Sequence, residues 1–190
     1  MNPLRCLPLT AALLLLPAGL PPRAEDQPRL TPARDVDITY KIFRPRQPMI
    51  IERARWSASE DLERIDGPDK STTIFDPKKD EITLLNAANR TYRKLEGTPR
   101  RLAGPDQGVI LTRGDESVVA GLHCTAWSWT EDVETHTVCL TPDGVLLRLV
   151  VDGRTATEAR SVSYGPQKAE LFQVPPNYAP ALAPEGSSAP

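Results

Sequence analysis

The sequence predicts an all-β (β-rich) fold: a single strongly curved antiparallel meander sheet, a half-barrel or unclosed barrel, with few or no long helices. Three observations carry this. Twenty prolines are scattered through 190 residues, and each removes a backbone donor and clashes with the preceding helical turn. Apolar residues alternate with polar ones, as in a half-buried strand, rather than recurring at the helical period. Clusters of Asp, Asn, Gly and Pro punctuate the alternating runs. About eleven such runs exceed what one flat sheet carries, so the sheet must curl, close or split.

In chain order, residues 1–24 read as a cleavable export signal. Arg5 supplies a positive n-region, Leu7 to Leu16 is almost continuously apolar, and Pro17-Ala18-Gly19 leads to a small-residue exit near Ala24. The apolar run is about 10 residues, against the roughly 20 that a membrane-spanning helix needs. The expected mature chain therefore carries no transmembrane segment and works in the periplasm or outside the cell. Its length, about 165 residues, suits one domain with a genuine core. Residues 25–34 read as a flexible N-terminal segment, 35–174 as the β-rich domain, and 175–190 as a disordered Pro/Ala/Ser-rich tail.

The first strand is the clearest: Val36, Ile38, Tyr40 and Ile42 share one face, with Asp35, Asp37, Thr39 and Lys41 on the other. Similar runs follow at 49–57, 61–66, 71–76, 80–86, 91–95, 109–113, 116–130, 134–141, 144–152 and 156–164. Within 71–95 the turns Asp76-Pro77-Lys78-Lys79-Asp80 and Asn86-Ala87-Ala88-Asn89-Arg90 join three consecutive strands, the asparagines being suited to left-handed geometry. Residues 97–108, rich in Gly and Pro, form the longest internal loop, either a surface connection or a flap over a binding face.

Cys124 and Cys139 flank a hairpin expected to turn near Glu131-Asp132. Facing residues of an antiparallel pair bring Cα atoms within disulfide reach, and an exported chain meets an oxidising environment. The spacing is not the Cys-x-x-Cys of exchange enzymes, so the bond reads as structural. The opposite face of that hairpin carries His123, Thr125, Trp127 and Trp129, with Glu134, His136 and Val138 returning. If Cys124 faces Cys139, His136 faces Trp127 and His123 faces Leu140, leaving the two histidines roughly 13 Å apart. A shared zinc ion needs ligands at about 2 Å, so no metal site is expected.

Catalytic signals are missing. The chain has no nucleophile elbow, His-Glu-x-x-His pair, phosphate-cradling loop or dinucleotide fingerprint. Glu60, Asp61, Glu63, Asp66 and Asp69 cluster without the order of a calcium loop and read as a solvated edge. Without residues 1–24 the charge is 21 basic against 25 acidic groups, or −4, which carries no nucleic-acid footprint. The expectation is a non-enzyme without cofactor or metal.

Several segments carry a resemblance: Val119-Ala120-Gly121-Leu122-His123-Cys124, the later Cys139, Gly144-Val145-Leu146-Leu147-Arg148, and Leu171-Phe172-Gln173-Val174-Pro175-Pro176-Asn177-Tyr178. Over residues 33–178 the chain resembles bacterial secreted domains of unknown function similar to the lipoprotein-carrier (LolA-like) group. The resemblance implies an unclosed barrel whose concave apolar face receives acyl chains in the carrier relatives. This chain departs in having few helix-forming stretches to serve as a lid.

A curled sheet has an inner face to fill, and the residues expected to line it are Val36, Ile38, Tyr40, Ile42, Ile82, Leu84, Val145, Leu147, Leu149 and Val151, with Trp127 and Trp129 as aromatic lining or core cap. The same residues also suit a plain core. The expected function is a non-catalytic binding module for a hydrophobic or amphipathic, lipid-like envelope ligand. The alternatives are a cell-envelope structural or protein-interaction domain and, third, a hydrolase without recognisable motif.

Overall fold

The computed structural model describes residues 27–96 and 109–181; the export signal and the 97–108 loop lie outside them. Twelve strands occur among the described residues: β1 Val36–Ile42, β2 Ile50–Ser57, β3 Leu62–Asp66, β4 Ser71–Asp76, β5 Glu81–Asn86, β6 Thr91–Glu96, β7 Thr112–Val119, β8 Leu122–Glu131, β9 Glu134–Leu140, β10 Leu146–Val151, β11 Arg154–Tyr164 and β12 Ala179–Pro180. They form one unclosed, curled sheet in the order β12-β6-β5-β4-β3-β2-β1-β11-β10-β9-β8-β7. Among the described residues a 3₁₀ turn, Ala169–Phe172, follows β11. The expected fold class is observed.

The turns explain the regularity. Four successive loops, 58–61, 67–70, 77–80 and 87–90, each end in a residue of positive φ: Asp61, Lys70, Asp80 and Arg90, at 52 to 65°. In the last of these the expectation for the asparagines is corrected. Arg90 takes the left-handed conformation (φ 55°), while the Asn86 side chain accepts from the Ala88 amide at 2.9 Å. Asparagine here supports the turn through its side chain rather than its backbone.

Two other corrections concern the second half. The expected runs 109–113 and 116–130 are instead β7 and β8, split at Ala120-Gly121, whose φ values of 50° and 79° define a two-residue hairpin turn. Val119 and Leu122 flank this turn with apolar side chains, which hides it from a pattern reading. The β8–β9 hairpin turns at Asp132-Val133, so Ala126 faces Cys139, Trp127 faces Val138 and Trp129 faces His136. His136 therefore stacks on Trp129, with ring centroids 5.0 Å apart, and not opposite Trp127. His123 pairs with Val118 on β7. The disulfide between Cys124 and Cys139 forms all the same, across a diagonal rather than a direct pair, with Cα atoms 5.3 Å apart. The Ser117 hydroxyl lies 3.2 Å from Cys139 Sγ and 3.5 Å from Cys124 Sγ.

Three apolar clusters hold the sheet. The first joins Val36, Ile38, Tyr40, Ala54 and Trp56 to Val119, Cys124, Cys139, Val145, Leu147 and Ala159. The second gathers Leu111, Trp127, Trp129, Val138, Leu140 and Leu146, with Leu30 and Leu149 packed against it. A third, smaller cluster is Ile74, Leu85 and Phe172, covered by Leu62, Tyr92, Leu171, Val174 and Tyr178.

The C-terminal stretch differs from its expectation over its first residues. Ala179 and Ala181 donate to the carbonyls of Arg90 and Tyr92, laying β12 parallel to β6. Pro180 then offers no amide on that edge, which blunts further pairing. The opposite edge, β7, is interrupted by a bulge between Arg113 and Glu116 and carries charged residues there, the other common protection.

The disulfide closes a loop of 15 residues. Reduction is expected to lower the unfolding free energy by roughly 3 kcal/mol in the chain-entropy model, read as a lower denaturant midpoint with reductant than without. An unchanged midpoint would contradict this.

Candidate functional site

Register across β1–β6 places two rows of side chains on one face. The first row runs Val36, Trp56, Glu63, Phe75, Ile82, Leu95; the second runs Ile38, Ala54, Ile65, Thr73, Leu84, Arg93. Cross-strand neighbours in an antiparallel ladder share a face, so these twelve residues form one surface. Its cover thins from β1 to β6. Val36, Trp56, Ile38 and Ala54 are at most 6% exposed, Ile65, Phe75 and Ile82 are half-buried, and Leu84 and Leu95 are exposed at 37% and 38%.

The opposite face is organised differently. Over β1–β4 it carries an ionic network: Arg53 donates to Asp37, Arg55 bridges Asp37 and Asp66, and Arg64 and Thr72 donate to Asp66. Arg64 also donates to the Leu171 carbonyl at 2.6 Å, fastening the C-terminal segment over Ile74 and Leu85. Burial works to raise the Asp66 carboxyl, but the hydrogen bonds from Arg64 and Thr72 outweigh it and hold the group below its usual range. The acidic cluster read from sequence is thus dispersed. Glu63 stands on the apolar face, Asp66 on the other, and Asp69 accepts from the Ser71 amide and hydroxyl.

The N-terminal segment reaches the β1–β2 end of the apolar face. Pro28 and Pro32 disfavour helix in the residues before them, and the strand ladder has no place for their missing amides, so the segment runs extended without joining the sheet. The Gln27 side chain donates to the Leu111 carbonyl (3.2 Å) and accepts from its amide (3.0 Å). Leu30, Thr31 and Pro32 face Ile38, Tyr40, Ala54, Trp56, Glu63, Gly144 and Leu146 across a narrow cavity. The Ala33 amide donates to the Asp143 carbonyl at 2.8 Å, and Arg34 donates to Asp143 Oδ2 at 2.9 Å while its guanidinium lies 4.0 Å from the Tyr164 ring centroid. Gly144, at φ +87°, permits this approach: a Cβ there would sit 2.3 Å from the Thr31 carbonyl oxygen.

Two tyrosines fix the surroundings. The Tyr40 hydroxyl donates to the Leu146 carbonyl at 2.7 Å; burial, aided by the Glu63 charge, pushes its pKa far above the usual range, so it stays a donor. The Tyr164 hydroxyl donates to Asp143 Oδ1 at 3.1 Å. Burial raises the Asp143 carboxyl, yet hydrogen bonds from Thr141, Arg34 and Tyr164 together hold it below its ordinary value.

Of the residues expected to line an inner face, Val36, Ile38, Tyr40, Val145 and Leu147 share one buried cluster, with Ile42 partly buried against it. Ile82 and Leu84 continue the same face. Trp127, Trp129 and Leu149 belong instead to the second cluster, and Val151 lines a separate depression with Phe43, Arg44, Pro45 and Arg154. Sequence reasoning missed Trp56, Ile65, Phe75 and Leu95, which simple extension of the β1–β6 register would have added. It also missed Leu30, Thr31 and Pro32, which show no periodicity to read. Among the described residues no group of three or more His, Cys, Asp or Glu side chains could hold a metal, and no helix is long and apolar enough to cross a membrane.

No known protein family matches this chain, and no curated protein matches it either. Solved structures do match. Two crystal forms of PNGF-II superpose with TM-scores of 0.50 at 16% identity, covering 74% and 78% of this chain but 30% and 31% of PNGF-II. MucB, solved in complex with MucA(peri), gives a TM-score of 0.51 at 15% identity over 75% of this chain and 55% of MucB. The chain thus spans less than a third of PNGF-II and about half of MucB. The likeness is one of fold, a curled β-rich sheet.

Because Asp143 titrates below its usual value in the folded chain, its contribution is complete above the ordinary carboxylate range and lost as pH falls through the depressed value. An NMR titration following the Ala33 amide should be flat from about pH 8 to 5 and move only below about pH 4. A midpoint near neutrality would show that another group controls this contact.

Proposed function

We propose that this chain is a non-catalytic extracytoplasmic binding module whose β3–β6 apolar face receives a hydrophobic or amphipathic envelope ligand. The observation that supports the reading is the graded exposure of the two rows. Phe75, Ile82, Leu84 and Leu95 continue a core face outward past the point where the chain's own described residues cover it. Contiguous apolar surface of this kind marks a binding site more often than chance exposure. Arg93 ends the second row beside Leu84, which places a cation at the rim and suits an anionic head group. The disulfide fits an oxidising compartment outside the cytoplasm.

Magnitude limits the ligand. Each buried methylene contributes roughly 0.8 kcal/mol, so about ten give ~8 kcal/mol before an association cost of several kcal/mol. Short acyl chains should therefore fail to bind measurably where longer ones succeed. A second reading, a protein-interaction domain, draws on MucB, which was solved in complex with MucA(peri); an extended apolar peptide would meet the same rows.

Titration with a fluorescent long-chain fatty acid tests the first reading. Leu84→Asp and Leu95→Asp change exposed side chains, so the circular-dichroism spectrum should be retained while affinity falls by about tenfold or more, equivalent to ~1.4 kcal/mol. Unaltered affinity in both variants, or no fatty-acid binding together with specific cross-linking of an envelope protein, would overturn it in favour of the second.

A further inference from the structure

The apolar face is only half available as it stands. Its two rows cross six strands, about 24 Å at the usual interstrand spacing, but the open part from β3 to β6 spans about 14 Å. At the β1–β2 end Leu30, Thr31 and Pro32 lie over Ile38, Ala54 and Trp56. The cavity that remains between them measures about 40 Å³, when one water molecule alone needs roughly 10–15 Å³ on that scale. A few waters fit there. A long acyl chain extending along the rows does not.

We infer that residues 27–34 are a built-in strap, a self-ligand that closes the inner end of the apolar face and must be displaced when a long-chain amphiphile binds. This deepens the proposed function and rests on it. The strap is made to be displaced rather than to be core. None of residues 27–34 is fully buried, no described strand pairs with it, and its hydrogen bonds lie at its two ends, the Gln27 amide on the Leu111 backbone and Ala33 with Arg34 on Asp143, while Leu30, Thr31 and Pro32 between them are held by packing alone. Between those two polar clasps the only anchor packed against a cluster is Leu30. Releasing the clasps exposes Ile38, Ala54 and Trp56; the second row then runs on through Ile65 and Thr73, while in the first row Glu63 stands between Trp56 and Phe75. The exposed apolar patch that results is what a long ligand's chain then covers, so opening and binding are coupled: each long-chain ligand pays the strap's docking free energy, and a weakened strap raises its apparent affinity.

Chain length separates this inference from a plain surface site. A medium-chain fatty acid accommodated by the open β3–β6 part should bind Gln27→Ala/Arg34→Ala and the unaltered protein alike, whereas a long-chain fluorescent fatty acid should bind the double variant at least about threefold more tightly. Gly144→Ala, whose added Cβ meets the Thr31 carbonyl, should act in the same direction through a different contact. Independently of affinity, saturating long-chain fatty acid should accelerate trypsin cleavage after Arg29 in the unaltered full mature protein, detected as the released N-terminal peptide by mass spectrometry. If the long-chain acid binds but neither the variants' affinity nor the cleavage rate changes, the strap is structural and this inference falls while the binding function stands. If no fatty acid of either length binds the unaltered protein or any variant, both fall together.

Discussion

The constraint on which the rest depends is the unbroken antiparallel ladder from β1 through β6. Within it every strand keeps its side-chain parity relative to its neighbour, so one choice of face in β1 propagates across six strands. Val36 and Ile38 face inward because Asp37 and Thr39 cannot be buried without partners, and that decision carries Phe75, Ile82 and Leu95 to the same surface. A slip of one residue anywhere in the ladder would send these groups to the far face. The four loops of equal length, each closed by a left-handed residue, hold the register at the four crossings from β2 to β6, while the longer 43–49 loop joins β1 to β2.

The other half of the sheet is built on the opposite principle. Register shifts occur at Thr39/Tyr40 against β11, between β10 and each of its neighbours, and between β7 and β8, while the ladder β2–β6 has none. Bulges increase local twist and bend the strand. Curvature is therefore concentrated on the β7–β11 side, which allows Val119, Cys124 and Cys139 to join a cluster with Val36 and Trp56 although their strands stand several positions apart in the sheet. The disulfide joins β8 and β9, whose own ladder is unbroken but whose outer neighbours on both sides, β7 and β10, pair with register shifts. The regular half needs no such tie, and it is the half left open.

This division also explains what could be read from the sequence. Alternation in Val36–Ile42 and in Ile82–Leu84 was legible, because parity within a strand is local and the β1–β6 ladder transmits it without error. The disulfide was legible from spacing and compartment, even though the expected turn lay one residue early and the register two residues off, because a diagonal pair at 5.3 Å still bonds. Trp127, Trp129 and Leu149 gather in a second cluster although Trp127, Val138, Leu149, Thr157 and Ile42 oppose one another in turn across β8, β9, β10, β11 and β1; the curl of the sheet separates the clusters, and no pattern in the residues announces where a sheet curls. The Ala120-Gly121 turn was hidden by its apolar neighbours. The segment from Gln27 to Arg34 was invisible because extended chain between prolines has no period, and its partners Leu111, Asp143 and Gly144 lie far off in sequence, 84 residues on for Gln27 and 109 for Arg34.

The two ends of the described chain close opposite faces of the sheet with unequal strength. The C-terminal segment buries Phe172 to 8% exposure against Ile74 and Leu85, and burial of such a side chain contributes roughly 1.5–3 kcal/mol. It is further tied by Arg64 to the Leu171 carbonyl and by β12 to β6. The N-terminal segment is held less firmly among the described residues: its ion pair to Asp143 is open to water at Arg34, where such contacts contribute little, and Leu30 and Pro32 are only partly buried against the sheet. A disturbance that loosens both ends will therefore free the N-terminal one first, and what it uncovers is the apolar face rather than the ionic one. The asymmetry in how these two described segments are held thus leaves the apolar face the more weakly closed of the two.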